Sequence, residues 1–360
     1  MNTLHIDEQL GWRGGEQQAS YLIGGLARLG HSVVIAGRRG SAFLSHGHNA
    51  PITGRVSAPF RGEIDPWTAC KLARAIHDYR IDIIHAHTSH AHTYACLARA
   101  LAGRGKVVVS RRVDFVPKTH AVNRWKYAQP DRIIAISERI AEVMRSIGVS
   151  ESRLATVYSG VDTARFDVEP LAREALGIPE NVPLLGNVAA LVGHKDHATL
   201  IEAMPAVLDA LPSLHLVIVG EGGLRGAIED QIARLNVGRA VHLLGFRRDV
   251  PHLLRALDAF VLSSKEEGLG TSVLDAMACR VPVVATAGGG IPEMVKDGET
   301  GRLVAARDPR ALAAAIVRVF QEPQETSAMA ARGRALVDER FSVVRMVEGN
   351  LRVYEELLSP

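Results

Sequence analysis

Covalent cross-links have little to work with in this 360-residue chain, which holds three cysteines, Cys70, Cys96 and Cys279, and no CxxC pair. An odd number without paired spacing excludes a disulfide scaffold and fits a reducing compartment. No apolar run approaches the roughly 20 residues that cross a bilayer. The first residues, Met1 to Ile6, pass directly into a strand-like pattern, without the basic stretch and apolar core of a leader. The expectation from these absences is a cytoplasmic protein. Short repeats and low-complexity tracts are missing too, so any duplication is architectural. Also lacking are the Walker-A lysine with its Ser/Thr and the Gly-x-Ser-x-Gly elbow. Gly220-Glu221-Gly222-Gly223 comes nearest to a dinucleotide loop, but it lies in the second half, with no acidic residue placed cleanly about 20 positions on.

What is present is a chain 47% hydrophobic, ample for a packed core and long enough for about two domains. A formal net charge of +3 conceals a split: residues 1–166 hold 22 Lys and Arg against 13 Asp and Glu, and residues 167–360 hold 20 against 26. The halves are about +9 and −6, which favours an anionic partner for the first. Near-continuous apolar strands alternate with helical periodicity throughout. Ser32–Ala36, Ile81–His85, Val107–Ser110 and Arg132–Ile136 form one series; Leu184–Val188, Leu214–Val219, Val241–Leu244, Ala259–Ser263 and Val281–Thr286 form another. Helices over Gln17–Leu29, Thr68–Tyr79, Ser137–Ile147 and His197–Leu211 intervene. That alternation predicts two doubly wound α/β domains with parallel sheets covered on both faces. The seam falls at Ser159–Phe166 and the polar stretch to Pro183, where periodicity breaks. A last helix, Ser342–Leu358, is amphipathic and available to cross back to the first domain.

Chemistry concentrates between Ser263 and Glu293. Glu267 precedes Gly268-Leu269-Gly270, and Thr271-Ser272 open a helical pattern that carries Asp275. First-turn N–H groups and the helix dipole stabilise an anion such as a diphosphate, and glycines let backbone approach it. Glu267 suits sugar hydroxyls and Asp275 a ribose, although Ser272-x-x-Asp275 also fits a capping box. Gly14-Gly15 sits at a strand-to-helix turn, either a phosphate cradle or an ordinary turn. Lys195 follows the first strand of the second domain, where ligands of open parallel sheets bind. Among His85, His87, His90 and His92 no carboxylate or cysteine completes an evident metal site; His87, at a strand end, is the candidate to meet substrate. Arg111, Arg112, Lys118, Arg124, Trp125, Lys126 and Arg132 interleave cations with an aromatic, as an anionic headgroup surface requires and as an ordinary exposed helix face also would.

Taken together, the Gly14-Gly15 turn, Ser159-Gly160-Val161-Asp162, Val219-Gly220-Glu221-Gly222, Leu257-Asp258-Ala259-Phe260-Val261, the Ser263–Glu293 signature and Asp297-Gly298-Glu299-Thr300-Gly301 resemble the family 4 glycosyltransferases. The resemblance covers nearly the whole chain. It implies the GT-B fold: two facing Rossmann-like domains, 1–165 with the helix 342–360 on the acceptor side, and 166–341 for the nucleotide sugar. It implies retaining transfer of a sugar from a nucleotide diphosphate to a hydroxyl of a glycan or glycolipid, with no metal and no cofactor, in agreement with the lack of an Asp-x-Asp motif. Lys195, Glu267, Arg112 and His87 are then the residues expected at the chemistry. Gly14, Gly15, Lys195, Glu221, Phe246, Arg247, Glu267, Gly268, Leu269, Gly270, Thr271, Ser272 and Asp275 are those expected around the donor. Three positions depart from the family pattern: Asp275 stands where Glu is usual, Ala190 where an arginine precedes the phosphate lysine, and Arg112 near a frequent histidine. Arg112 stays protonated and is unsuited to act as a base. The expected partners are a nucleotide sugar, an acceptor such as a lipopolysaccharide core and an anionic inner membrane face, with no nucleic acid. A sugar-nucleotide epimerase and a non-catalytic nucleotide-sugar-binding protein are the alternatives.

Overall fold

The computed structural model describes residues 1–46, 48–118 and 121–359. Two compact units divide it: Met1–Gly160 with Val343–Pro360, and Val161–Ser342.

The first unit is built on seven parallel strands, β1 (Asn2–Asp7), β2 (Ser32–Arg38), β3 (Gly54–Ala58), β4 (Ile83–Ala86), β5 (Lys106–Arg111), β6 (Arg132–Ala135) and β7 (Leu154–Thr156), in the order β3-β2-β1-β4-β5-β6-β7. The order reverses between β1 and β4. Alternation sends successive side chains to opposite faces. Leu4 and Ile6 of β1 join Val34, Ile84 and Tyr94 in one buried cluster, and Val33, Ile35, Ile83 and Val108 join Leu22, Ile23 and Leu26 in another. The second cluster includes Met346, Val347, Val353 and Tyr354 of the terminal helix Val343–Leu358. That helix therefore belongs to the first unit. It lies so close to the opening helix Gly14–Arg28 that a Cβ added at Gly25 would meet Val347 Cγ2 at 2.4 Å.

The second unit repeats the plan with six parallel strands: β8 (Leu184–Val188), β9 (His215–Val219), β10 (Val241–Gly245), β11 (Ala259–Leu262), β12 (Val283–Thr286) and β13 (Arg302–Val304). Their order is β10-β9-β8-β11-β12-β13, reversing between β8 and β11. The core on one face unites Leu185, Leu216, Ile218, Val261 and Val284 with Leu200, Met204 and Ile316 of the covering helices. The ends of this unit meet, since Val161 N–H donates to the Phe341 carbonyl at 2.7 Å. Both sheets thus have the open doubly wound order that places ligands beyond the carboxyl ends of the strands, at the reversal. Among the described residues no helix is long and apolar enough to cross a membrane.

Candidate active site

In the second unit four loops gather at the carboxyl edge of the sheet. After β8 the chain makes a short turn, Gly193–Lys195, and Asp196 adopts φ +50° before the helix His197–Ala210. Beneath this turn Asn187 donates to the Val261 carbonyl at 2.8 Å and its Oδ1 meets His197 Nε2 at 3.2 Å. Burial, then the Lys195 charge, pushes the His197 imidazole down to about 4, so it is a neutral donor to Asn187. Across the reversal, Ser263 Oγ donates to the Lys195 carbonyl at 3.1 Å, and Lys265 N–H to that of His194 at 2.9 Å. The β8 and β11 loops are thereby stitched together.

This stitching brings Lys195 and Glu267 into direct contact: Nζ meets Oε1, and Ser264 Oγ donates to the same oxygen at 2.8 Å. Glu267 is buried, 8% exposed. Its carbonyl accepts from Gly290 N–H at 2.9 Å. A Cβ at Gly288 would stand 2.3 Å from the Ser264 carbonyl oxygen, and one at Gly290 would stand 2.5 Å from that of Gly268. The Gly288–Gly290 run is therefore a close backing for the carboxylate loop. Gly270, at φ +89°, opens the helix Thr271–Ala278. The first N–H groups of any helix lack intrahelical partners and carry the positive end of its dipole.

The helix start also corrects one alternative. With Gly270 capping it, Ser272 and Asp275 are the second and fifth helical residues, so they form no capping box. Asp275 is partly buried; desolvation raises its carboxyl to about 6, and Arg165 opposes that rise. Beside this centre, Leu191 N–H donates to the Glu221 carbonyl at 3.0 Å, and Glu221 Oε1 accepts from Phe246 N–H at 3.3 Å. Phe246 is 66% exposed, and Arg247 is held by Asp249 through contacts of 2.9 and 2.5 Å. Ala190 lies exposed on the same loop as Lys195. The second unit thus unites Lys195, Glu221, Phe246, Arg247, Glu267, Gly268–Ser272 and Asp275 along one edge.

In the first unit Gly14 and Gly15 lie inside the first turn of the opening helix, not in a loop before it, because Glu16 Oε2 accepts Arg13 N–H at 2.7 Å and starts the helix early. A Cβ at Gly15 would lie 3.7 Å from Arg112 Cδ. The histidine series separates. His90 lies between Glu8 and Glu63, 3.7 Å from each, and His92 meets the Lys126 carbonyl at 3.0 Å. His85 and His87 instead join His5, a residue that motif reasoning passed over. The three are buried, with ring nitrogens within 4.8 Å of one another. Each of those nitrogens has a protein partner: His5 with His87 and Thr3, His85 with Tyr354 and Ser110, His87 with Arg112. His87 is 4% exposed, with both its nitrogens engaged. Burial lowers the Arg112 guanidinium to about 10, still a cation at neutral pH, with Asp7 and Glu16 opposing that fall. Asp7 is pushed up to about 8, by burial first and then by Glu16.

The basic series of residues 111–132 is corrected as well. Arg111 is buried against Tyr127 and Phe115, Lys126 is buried against Ser89, and Arg132 pairs with Glu356. Lys118, Arg124 and Trp125 are the members left exposed, among Phe115, Val116 and Val122.

A model described as Glycosyltransferase Family 4 matches residues 12–165, and one described as Glycosyl transferases group 1 matches 168–336. A Bacillus subtilis (strain 168) protein named as the glycosyltransferase EpsD is 31% identical over 303 residues, covering 79% of either chain. The chain belongs to glycosyltransferase family 4. As a member of that family it is an enzyme, a glycosyltransferase. Another relative, the GDP-mannose-dependent monoacylated alpha-(1-6)-phosphatidylinositol monomannoside mannosyltransferase of Corynebacterium glutamicum, is 30% identical, with 77% of each chain covered. Among solved structures, Anabaena Alr3699/HepE in complex with UDP-glucose has a TM-score of 0.84 at 24% identity, covering 99% of this glycosyltransferase and all of that chain. The GT-B fold class is therefore shown.

Proposed function

We propose that this glycosyltransferase moves a sugar from a nucleoside diphosphate to a hydroxyl of a glycan or glycolipid, with retention of configuration and without a metal or cofactor. The acceptor is a growing bacterial surface polysaccharide or lipopolysaccharide. One observation carries the donor side of this reading: Lys195 and Glu267 meet at the reversal of the second sheet, beside a helix start uncovered by a glycine. A diphosphate leaving group needs its growing charge neutralised, and a fixed ammonium with helix N–H groups supplies that without a cation. Glu267 accepts hydrogen bonds from donor-sugar hydroxyls, Asp275 from the ribose, and the Glu221 and Phe246–Arg247 loops border the base. In the first unit, Arg112 is the cation that meets an anionic group of the substrate.

Glu267 is not assigned as a covalent nucleophile. Transfer on the front face passes through an oxocarbenium-like state, and the departing phosphate takes the acceptor proton. Neutralisation and orientation of the reactants lower the barrier. The lipopolysaccharide reading is supported by the core mannosyltransferase LpsB of Rhizobium meliloti, 27% identical over 63% of this chain and 66% of that protein. A peripheral seat on the inner membrane face is supported by exposed Lys118 and Arg124 among Phe115, Val116, Val122 and Trp125, a mixture that combines insertion with attraction to anionic lipid.

The test is a donor screen by thermal shift, since a ligand bound by the folded state raises the melting temperature with concentration. Mass spectrometry of the product made with the best donor follows, with and without a chelator. Glycosylated product that persists in chelator supports the reading; loss of transfer on chelation contradicts metal independence. Sedimentation with vesicles that ignores anionic lipid content contradicts the membrane seat.

A further inference from the structure

Arginine offers only N–H groups, so the ring nitrogen that meets Arg112 must present a lone pair. That nitrogen is His87 Nδ1, 3.4 Å from Arg112 Nη2. His87 is buried beside His5 on β1, His85 on β4, His48 and Arg112, and every one of these influences disfavours its protonated form. A neutral His87 with an accepting Nδ1 carries its proton on Nε2. That proton faces His5 Nδ1 at 3.0 Å. His5 Nδ1 therefore accepts, its own proton sits on Nε2, and it donates to Thr3 Oγ1 at 3.2 Å. The Thr3 hydroxyl in turn donates to the Ser32 carbonyl at 3.2 Å.

Every donor and acceptor from Arg112 to Ser32 is thereby assigned, and the direction of the run is set at its charged end. The backbone makes this possible. Thr3 and His5 are two apart on one face of β1, and His87 N–H donates to the Ile6 carbonyl at 3.0 Å, holding the residue after β4 against β1. His85 stands outside the run, bound to Ser110 and Tyr354 and touching His87 only by ring stacking at 4.3 Å. Asp7, Glu16 and Tyr354 also act on the same guanidinium through their charge.

We propose that His87 is a positioning residue for Arg112, locked by His5 in a single neutral tautomer, and that it neither touches substrate nor serves as a base. The proposal rests on the reading of Arg112 as the cation that meets an anionic part of the substrate. A guanidinium without a fixed lone pair beside it swings toward the neighbouring carboxylates. A misplacement of about 1 Å is enough to cost about 10²-fold in rate.

The first test needs no substrate. In the full chain labelled with ¹⁵N-histidine, two-bond proton–nitrogen correlation at pH 7 is expected to show both His5 and His87 with Nε2 protonated and Nδ1 bare. Protonation of His87 at Nδ1, or at both nitrogens, overturns the proposal. The second test is kinetic, with nucleoside diphosphate release from the best donor as readout. H87A is expected to lose about 10²-fold in kcat, whereas H87N, whose amide oxygen replaces the Nδ1 lone pair but does not titrate, recovers most of the loss and keeps the wild-type pH profile. The H87A, R112A double variant is expected to be no slower than R112A. Additive losses, or an H87N variant as slow as H87A with one limb of the pH profile gone, refute positioning. Normal turnover by R112A instead removes the reading of Arg112, whatever the tautomers show.

Discussion

At the reversal of the first sheet the polar groups are buried and consume one another: His5 bonds His87, and His85 bonds Ser110 and Tyr354, with Asp7 and Arg112 beside them. At the reversal of the second, Lys195 and Glu267 stand at the mouth of glycine-backed loops next to an open helix start. The first six strands follow the same order in both. The difference therefore lies in which side chains the common plan puts at its crevice. A shared doubly wound topology fixes where a ligand is offered to each sheet, while the burial of the local charges sets what the edge can do. One edge presents an ammonium and an open helix start, the features on which the proposed diphosphate site rests; the other is a buried polar cluster beside Arg112.

Removing the ammonium should break the second edge most severely. Lys195→Ala is expected to lose about 10²- to 10³-fold in turnover while the chain still folds, as read by circular dichroism; normal turnover would sink its role at the leaving phosphate. Glu267→Gln is expected to split binding from chemistry. It frees Lys195, so bare nucleoside diphosphate binds more tightly by calorimetry, while sugar transfer falls about tenfold or more through the lost charge-assisted hydrogen bonds. Weaker diphosphate binding would mean the ion pair is not a competitor for the donor.

The first edge is exposed by acid. His5 and His92 are lowered to about 3, His48 to about 4, and His85 and His87 well below the ordinary value, all chiefly by burial. The unfolded chain takes up these protons near the ordinary histidine value of about 6.5, which the folded unit resists, so stability present above that pH is lost as pH falls below it. Asp7 acts in the opposite sense between 3.8 and about 8, because the folded state keeps a proton that the unfolded chain has released. Five histidines outweigh one carboxyl. All three tryptophans, Trp12, Trp67 and Trp125, lie in the first unit, so their fluorescence should report its loosening on acidification before amide exchange accelerates in the strands of the second. Simultaneous loss would contradict the contrast. A smaller effect is expected from Gly25→Ala, about 1–3 kcal/mol of destabilisation by overpacking against Val347, read as a lower melting temperature and faster proteolysis of the terminal helix.

Most of the fold was legible because parallel strands covered on both faces are nearly continuously apolar, as Ala259–Leu262 shows. β3, β7 and β13 escaped notice: Gly54–Ala58 mixes charge with small residues, and Leu154–Thr156 and Arg302–Val304 are only three residues long. The donor edge was legible too, since glycine spacing and a helix start leave local marks around Glu267. His5, Asp7 and Tyr354 were not, because their roles come from neighbours distant in sequence; Tyr354 meets His85 across 269 positions. One signal was available. Thr3, His5 and Asp7 alternate with Leu4 and Ile6, and polar residues on one side of a central strand of a fully covered sheet must find partners there. The basic series misled because clustering along the chain says nothing about which cations burial and pairing consume, as Arg111, Lys126 and Arg132 illustrate.

Hydrogen exchange of the full chain with a panel of nucleoside diphosphates, UDP and GDP among them, measures directly where the donor's anionic group is held. The best-binding member should protect residues 189–197, 220–224 and 263–274 of the second unit, and Lys195→Ala should abolish that protection. Protection confined to residues 5–16 and 110–118 of the first unit, or protection in the second that survives Lys195→Ala, would contradict the assignment of Lys195 and the Gly270 helix start as the diphosphate site.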